Sequence, residues 1–144
     1  MSSSTHNAVA AIDIGTNSTN LLVTDRDGRT LKRQVTVTRL GQGVDKSRML
    51  APEAIERTVL CLAQYRELLN AHGSPPLRII ASSASRDALN REEFFDQAEN
   101  VLGVRPELVS GEEEARLAYR CFTTTPTPDT NGHLIIDIGG GSTE

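Results

Sequence analysis

A segment of nine residues occurs twice in this chain, and its residue types are suited to binding phosphate. The copies are residues 12–20 and 136–144, and six of their nine aligned positions are identical. Each copy reads Ile-Asp-Ile-Gly, then two variable residues, then Ser-Thr. Each therefore places a carboxylate shortly before a glycine and two hydroxyl groups shortly after it. Duplication of the whole pattern indicates one chemical task that is performed twice.

The chemistry follows from these residue types. A glycine turn at the end of a strand lets backbone N–H groups converge on an anion, and nearby Ser or Thr hydroxyls add further donors. The carboxylate would repel a phosphate at neutral pH, but a divalent cation between the two removes that conflict. A single copy could merely begin a hairpin, whereas a duplicated hairpin has no reason to repeat Asp, Ser and Thr as well. Two such loops with a metal ion predict a clamp for a chain of phosphates.

Both copies follow short apolar runs, which predicts that each loop ends a buried strand. The predicted strands are 9–14, 21–24, 31–40, 77–81, 107–109 and 134–138. The predicted helices are 52–71, 90–102 and 110–122, the last two begun by the capping boxes Asn90 with Glu93 and Ser110 with Glu113. A three-strand meander, followed by strands that alternate with helices, predicts a mixed α/β sheet with crossover helices in the ribonuclease-H-like order.

Composition limits what the chain can bind. With 38% hydrophobic and 24% charged residues, its 144 residues suffice for one compact globular domain. A net charge of −4 with scattered Lys and Arg residues excludes a nucleic-acid groove, so a polyanion must be held by local geometry. No apolar run is long enough for a membrane span, and residues 1–7 lack the features of a secretory signal. We therefore expect no membrane partner and a cytoplasmic location.

Beyond these patterns, the chain resembles the exopolyphosphatase / guanosine pentaphosphate phosphohydrolase family of the actin, Hsp70 and sugar kinase superfamily. The resemblance extends from about residue 9 to residue 144 and is carried by AIDIGTNS at 11–18, LGQGVD at 40–45, ASSASRDA at 81–88, SGEEEAR at 110–116 and IDIGGGSTE at 136–144. It implies an actin-like ATPase fold in which two phosphate loops face each other across an interdomain cleft. Residues 1–132 would be domain I, and residues 133–144 the first strand and loop of domain II.

The resemblance also implies roles for individual residues. The substrate-binding residues of the two loops would be Asp13, Gly15, Thr16, Asn17, Ser18, Gly139, Gly140, Gly141 and Ser142. Asp137 and Glu144 match the family's metal-associated carboxylates, which implies Mg²⁺ or Mn²⁺. Arg86 matches an arginine that reaches into the cleft, and Glu114 matches the glutamate taken as general base.

A functional role for Glu112, Glu113 and Glu114 does not follow from their position alone, because acidic residues in the first turn of a helix are commonly solvated and favoured by the helix dipole. If Ser110 caps the helix, Glu113 is occupied in the reciprocal cap bond. Glu114 lies about 100° around the helix from it and stays available. A base must lie within hydrogen-bond reach of the attacking water. We therefore expect Glu114 to be the base, with Glu113 as the alternative.

Arg86 follows the strand 77–81 through a serine-rich turn, where a lone arginine is by default a surface charge. Its guanidinium fork nevertheless matches phosphate oxygens and can offset charge in a transition state. Ser82, Ser83 and Ser85 are expected to be turn and cap residues, because no histidine partner indicates covalent catalysis.

The resemblance implies in-line attack by water on the terminal phosphate of inorganic polyphosphate or of guanosine pentaphosphate, with release of orthophosphate. The sequence does not separate polyphosphate from (p)ppGpp as the ligand. The resemblance further implies a homodimer when full length, and little activity for these 144 residues alone. An ATP-dependent sugar kinase or ATPase of the same fold, and a non-catalytic sensor of polyphosphate or alarmone nucleotides, are the alternatives.

Overall fold

Five strands form one mixed sheet in the computed structural model, which describes residues 8–123 and 134–143. The strands are β1 Ala8–Ile14, β2 Ser18–Asp25, β3 Thr30–Val37, β4 Leu77–Ala81 and β5 Glu107–Leu108. The helices are α1 Val44–Ser47, α2 Pro52–Ala71, α3 Ser83–Asp87, α4 Arg91–Leu102 and α5 Gly111–Thr123. Among these residues, no helix combines the length and apolar character needed to cross a bilayer.

The sheet has the spatial order β3-β2-β1-β4-β5. The first three strands are an antiparallel meander, whereas β4 runs parallel to β1 and β5 parallel to β4. Parallel neighbours need a crossover connection, and α2 lies in the connection between β3 and β4. The predicted meander and the mixed α/β sheet with crossover helices are confirmed.

The hydrophobic core packs against one face of the sheet. Alternate side chains of β1 and β2 are fully buried there, including Ile12, Ile14 and Leu21. The core also contains Leu62 from α2 and Phe94 from α4, and neither is measurably exposed. Burying a side chain of this size contributes about 1.5–3 kcal/mol. The opposite pleat of the same strands carries both apolar and polar side chains, among them Val9 and Leu22 as well as Asp13 and Asn20.

Tyr65 ties α2 to the meander. Its buried hydroxyl donates to the Thr19 carbonyl at 2.7 Å and lies 2.9 Å from the Thr36 hydroxyl. Burial raises the pKa of Tyr65 to about 12, because the phenolate would be poorly solvated there. This bond fixes the helix against the strand that follows the first glycine loop.

Several local predictions are wrong. The segment 134–138 is not a strand: it has only an isolated bridge from Ile138 to Thr143, and no strand within the described residues lies beside it. Asn90 forms no side-chain cap to α4, because its amide group instead bonds both the N–H and the carbonyl of Leu50. The short helices α1 and α3 had no periodic signal, and the strand predicted to 40 ends at Val37. Residues 124–133, between α5 and the second glycine loop, lie outside the described residues.

Candidate active site

The predicted first phosphate loop, residues 13–18, connects β1 to β2. Gly15 N–H donates to the Ser18 carbonyl at 2.9 Å and closes a tight turn. A Cβ at Gly15 would lie 3.1 Å from that same carbonyl, so the turn favours a residue without a side chain. Asp13 projects from the pleat opposite the core, since its neighbours Ile12 and Ile14 point into it. The loop thus places a carboxylate and a hydroxyl at the end of β1.

A second segment, residues 38–42, supports this loop from behind. The N–H groups of Thr38 and Arg39 donate to the Asn17 carbonyl at 3.1 and 2.9 Å, and Gly41 N–H donates to the Thr16 carbonyl at 3.0 Å. A Cβ on Gly41 would overlap the Thr16 methyl group. Glycine at position 41 therefore lets the supporting segment approach the loop closely enough to bond it.

The second phosphate loop repeats the turn of the first. Gly139 N–H donates to the Ser142 carbonyl at 2.9 Å, as Gly15 N–H does to Ser18 at 2.9 Å. The bridge between Ile138 and Thr143 corresponds to the pair Ile14 and Thr19 at the first loop. The internal repeat in the sequence is therefore a repeat of structure.

The two loops are packed against each other. A Cβ at Gly140 would lie 3.3 Å from the Cβ atoms of Thr16 and Asn17. A Cβ at Gly141 would lie 2.8 Å from Ser83 Oγ and 2.9 Å from Thr16 Oγ1, two hydroxyls that hydrogen-bond each other at 2.7 Å. The glycines of the second loop are thus needed for close approach to the first.

A polar cavity of about 200 Å³ opens where the loops meet. The predicted residues that line it are Asp13, Gly15, Thr16, Asn17, Ser18, Glu114, Asp137, Gly139, Gly140 and Ser142. Gly141 lines a neighbouring cavity instead, on the other side of the loop contact. Glu144 lies outside the described residues, so its predicted contact with a metal ion stays a prediction.

The surroundings of Asp13 shift the pKa of its carboxyl. Burial raises the pKa of the Asp13 carboxyl, and the hydrogen bond from Asn20 Nδ2, at 3.3 Å, lowers it. The negative charges of Glu114 and Asp137 raise it further. Three carboxylates therefore share one cavity, and the charges of Glu114 and Asp137 disfavour ionisation of Asp13.

Glu114 and Arg86 form an ion pair at the edge of this cavity. Arg86 Nη1 donates to Glu114 Oε2 at 2.9 Å and to the Val109 carbonyl at 2.8 Å, and both charged side chains are 23% exposed. Glu114 lines the cavity, whereas Arg86 does not. The structure thus brings the predicted base to the phosphate loops and directs the predicted arginine to that base.

Glu113 lies outside the cavity lining. The Ser110 hydroxyl accepts the Glu113 N–H at 3.1 Å, which confirms Ser110 as a side-chain cap of α5. The Glu113 carboxylate accepts a hydrogen bond from Arg116 at 3.1 Å. Of the two acidic residues considered as base, only Glu114 faces the loops.

This geometry can be set beside known proteins. Residues 21–144 match the model of the Ppx/GppA phosphatase family. The chain belongs to this family. It is 40% identical over 148 aligned positions to exopolyphosphatase 2 of Mycobacterium tuberculosis, covering 94% of this chain and 46% of that protein. The chain therefore spans about half the length of the curated relatives it matches.

Solved Ppx/GppA structures share the fold. An exopolyphosphatase-like protein is 43% identical with a TM-score of 0.89, covering 94% of this chain and 43% of that one. The Aquifex aeolicus family member is 31% identical with a TM-score of 0.82, covering 95% and 45%. The described sheet is thus an actin-like ATPase-type domain, as the family resemblance implied.

Sequence reasoning missed three residues of the cavity wall, Asn20, Ser82 and Ser83. Asn20 is the register partner of Asp13 across the β1–β2 hairpin, so the pairing of the two strands could have placed it there. The two serines follow β4, the parallel neighbour of β1. Ligands bind at the carboxyl ends of the strands in open α/β sheets, and this rule could have predicted that both serines lie near the site.

The metal ion that the resemblance implies can be tested against these residues. Asp13, Glu114 and Asp137 bring negative charge to one cavity, which a divalent cation would offset. Within residues 8–123 and 134–143, however, no three His, Cys, Asp or Glu side chains are arranged to hold a metal ion by themselves. Mg²⁺ is commonly bound by one or two carboxylates, with water and substrate phosphates as its other ligands. The donor set fits that kind of site.

Proposed function

We propose that the protein removes the terminal phosphate of inorganic polyphosphate by hydrolysis. The observation that carries this proposal is that both glycine loops and Glu114 line one cavity. Relatives named exopolyphosphatase support it. Guanosine pentaphosphate, which also ends in a phosphate, is the alternative substrate.

In this proposal the loops bind and orient successive phosphates. Backbone N–H groups around Gly15 and Gly139 and the hydroxyls of Ser18 and Ser142 supply donors without the bulk of large side chains. Transfer of a phosphoryl group to water depends mainly on positioning and on stabilising charge, so an aligned phosphate next to a placed water is most of what is required.

Glu114 accepts the proton of the attacking water. Its carboxylate lies at the cavity wall, and the bond from Arg86 holds it there while Val109 fixes Arg86 in turn. Arg86 then acts on the reaction through Glu114, as a positioning residue. Mg²⁺ near Asp137, and near Glu144 as the resemblance implies, would supply the positive charge that offsets the phosphates.

The test is phosphate release from polyphosphate by the full-length protein with Mg²⁺. Glu114→Gln keeps the size of the side chain and removes the base, so we expect kcat to fall by about 10²- to 10⁴-fold. Glu113→Gln is the matched control, because it changes the neighbouring carboxylate outside the cavity, and it should stay close to wild type. If Glu113→Gln loses turnover and Glu114→Gln does not, the base is Glu113.

Two other outcomes would replace the proposal. Tight binding of polyphosphate without turnover, unaffected by Glu114→Gln, would indicate a sensor. Consumption of ATP that depends on a sugar, without phosphate release from polyphosphate, would indicate a kinase of the same fold. Comparing polyphosphate with guanosine pentaphosphate in the same assay assigns the substrate.

A further inference from the structure

The hydrogen-bond ladder between β2 and β3 ends beside the first phosphate loop, at a residue pair that forms only one of its two backbone hydrogen bonds. Residues that form a hydrogen-bonded pair in antiparallel strands exchange two bonds, one in each direction. Ser18 is aligned with Val37, so Asn17 and Thr38 form the next pair. Thr38 N–H donates to the Asn17 carbonyl at 3.1 Å, but no reciprocal bond from Asn17 N–H to Thr38 forms in the described chain. The Thr38 carbonyl is left for another donor.

Arg57, from the second turn of α2, supplies that donor. Its Nε donates to the Thr38 carbonyl at 2.6 Å, and its Nη2 donates to the Arg39 carbonyl at 3.3 Å and to Gln42 Oε1 at 3.4 Å. No carboxylate pairs with Arg57 in residues 8–123 and 134–143. Its guanidinium is directed to the backbone of the supporting segment.

Peptide geometry relates this contact to the cavity. In a planar trans peptide the C=O and the N–H point in opposite directions. The Thr16 carbonyl points toward the supporting segment, where it accepts the Gly41 N–H at 3.0 Å. The Asn17 N–H belongs to the same peptide unit and therefore points away from that segment. Asn17 lines the cavity, so this amide is available as a donor to an anion bound there.

We propose that Arg57 is a positioning residue for the first phosphate loop. By bonding the Thr38 and Arg39 carbonyls, Arg57 fixes the supporting segment whose Gly41 N–H holds the Thr16 carbonyl, and so keeps the Asn17 N–H of that peptide turned away from the ladder. When Arg57 is lost, this peptide can turn and the Asn17 N–H can bond the Thr38 carbonyl. Arg39 has a φ of +50°, a strained value for a residue other than glycine, so the supporting segment has reason to relax when Arg57 is lost. The inference rests on the proposed function only for the identity of the anion.

The first experiment measures hydrogen exchange at the Asn17 amide without any ligand. In the wild type this amide should exchange rapidly, because nothing in the described chain accepts its hydrogen bond. In Arg57→Met, which keeps the aliphatic stem but removes the donors, we expect exchange to slow by at least tenfold as the ladder bond forms. Slow exchange in the wild type would overturn the proposal.

The second experiment measures binding of inorganic tripolyphosphate by calorimetry in the presence of Mg²⁺. Arg57→Met should weaken binding about tenfold, roughly the worth of one hydrogen bond to a charged acceptor. Arg57→Lys keeps one donor within reach of Thr38 and should recover part of the affinity. A purely structural role would lower the melting temperature without separating the lysine from the methionine variant in binding.

Arg66→Met is the matched control. Arg66 lies on the same helix and also donates to a backbone carbonyl, that of Leu102 at 2.8 Å, but this carbonyl lies at the end of α4 and not in the segment that bonds the first phosphate loop. Equal effects of Arg57→Met and Arg66→Met on exchange and on binding would contradict the proposal. If the wild type does not bind tripolyphosphate, the proposed function fails, whereas exchange at Asn17 still decides the role of Arg57.

Discussion

Asp13 would have to be ionised to bind a cation, but its ionisation lowers the stability of the fold. Its carboxyl is raised in pKa by burial and by the charges of Glu114 and Asp137, so ionisation is less favourable in the folded protein than in the unfolded chain. A raised pKa in the folded state contributes stability that is present below the unfolded value, 3.8, and is lost as pH rises through the folded value. At neutral pH the ionised Asp13 therefore lowers the stability of the fold.

Asp13→Asn should raise the melting temperature at pH 7 by about 3 °C, the shift that about 1 kcal/mol produces in a domain of this size. The asparagine keeps an oxygen to accept the bond from Asn20 and removes the buried charge. The gain should shrink as pH falls toward 3.8, where the aspartate is protonated in both states. Thermal unfolding across pH measures this, with the exposed Asp45→Asn as control. A gain that does not change with pH would exclude the electrostatic cause.

At the scale of elements, the site depends on contact between two turns that are 124 positions apart in sequence, at residues 15 and 139. The glycines of the second turn are placed against side chains of the first, and Ser83 completes the contact from the end of β4. Neither turn alone encloses a phosphate chain. The distance between them is set by how small the residues at 140 and 141 are.

Gly141→Ala should separate the two loops. Its new Cβ would lie 2.8 Å from Ser83 Oγ and 2.9 Å from Thr16 Oγ1, so the second loop must move. We expect tripolyphosphate binding with Mg²⁺ to weaken by about tenfold or more, with little change in melting temperature, because the segment carries no core residue. Gly140→Ala should cost less, since its contacts are at 3.3 Å. The reverse order of the two variants would show that this packing does not control the site.

The elements themselves were largely readable from the sequence. Helix α2 and strand β4 have the predicted bounds, because a periodic apolar pattern between Pro52 and Gly73 and a short apolar run after Pro76 leave little choice. What could not be read depends on long-range partners. The sequence pattern predicted Asn90 as a cap, but its side chain makes both of its hydrogen bonds to the backbone of Leu50, 40 residues away. No sequence pattern indicated a role for Arg57, because its partners are backbone carbonyls that the turn after β3 exposes to it.

At the scale of the chain as a whole, the net charge of these 144 residues opposes the proposed ligand. A net charge of −4 repels a polyanion, so under the proposed function the affinity would come from the converging N–H groups and from a cation placed among Asp13, Glu114 and Asp137. Binding should then depend strongly on the divalent ion and should stabilise the fold, because the intact pair of loops exists only in the folded state.

Tripolyphosphate at a hundred times its Kd should raise the free energy of unfolding by about 2.7 kcal/mol when Mg²⁺ is present. Chelation of the metal should abolish this stabilisation, because without a cation three carboxylates face the phosphates directly. Thermal unfolding with and without EDTA measures the difference, and sulfate at equal ionic strength controls for general salt effects. Equal stabilisation with and without Mg²⁺ would mean that backbone donors alone offset the charge. The carboxylates would then have to be protonated or turned away when the ligand binds, which a raised pKa at Asp13 makes easier at that one position.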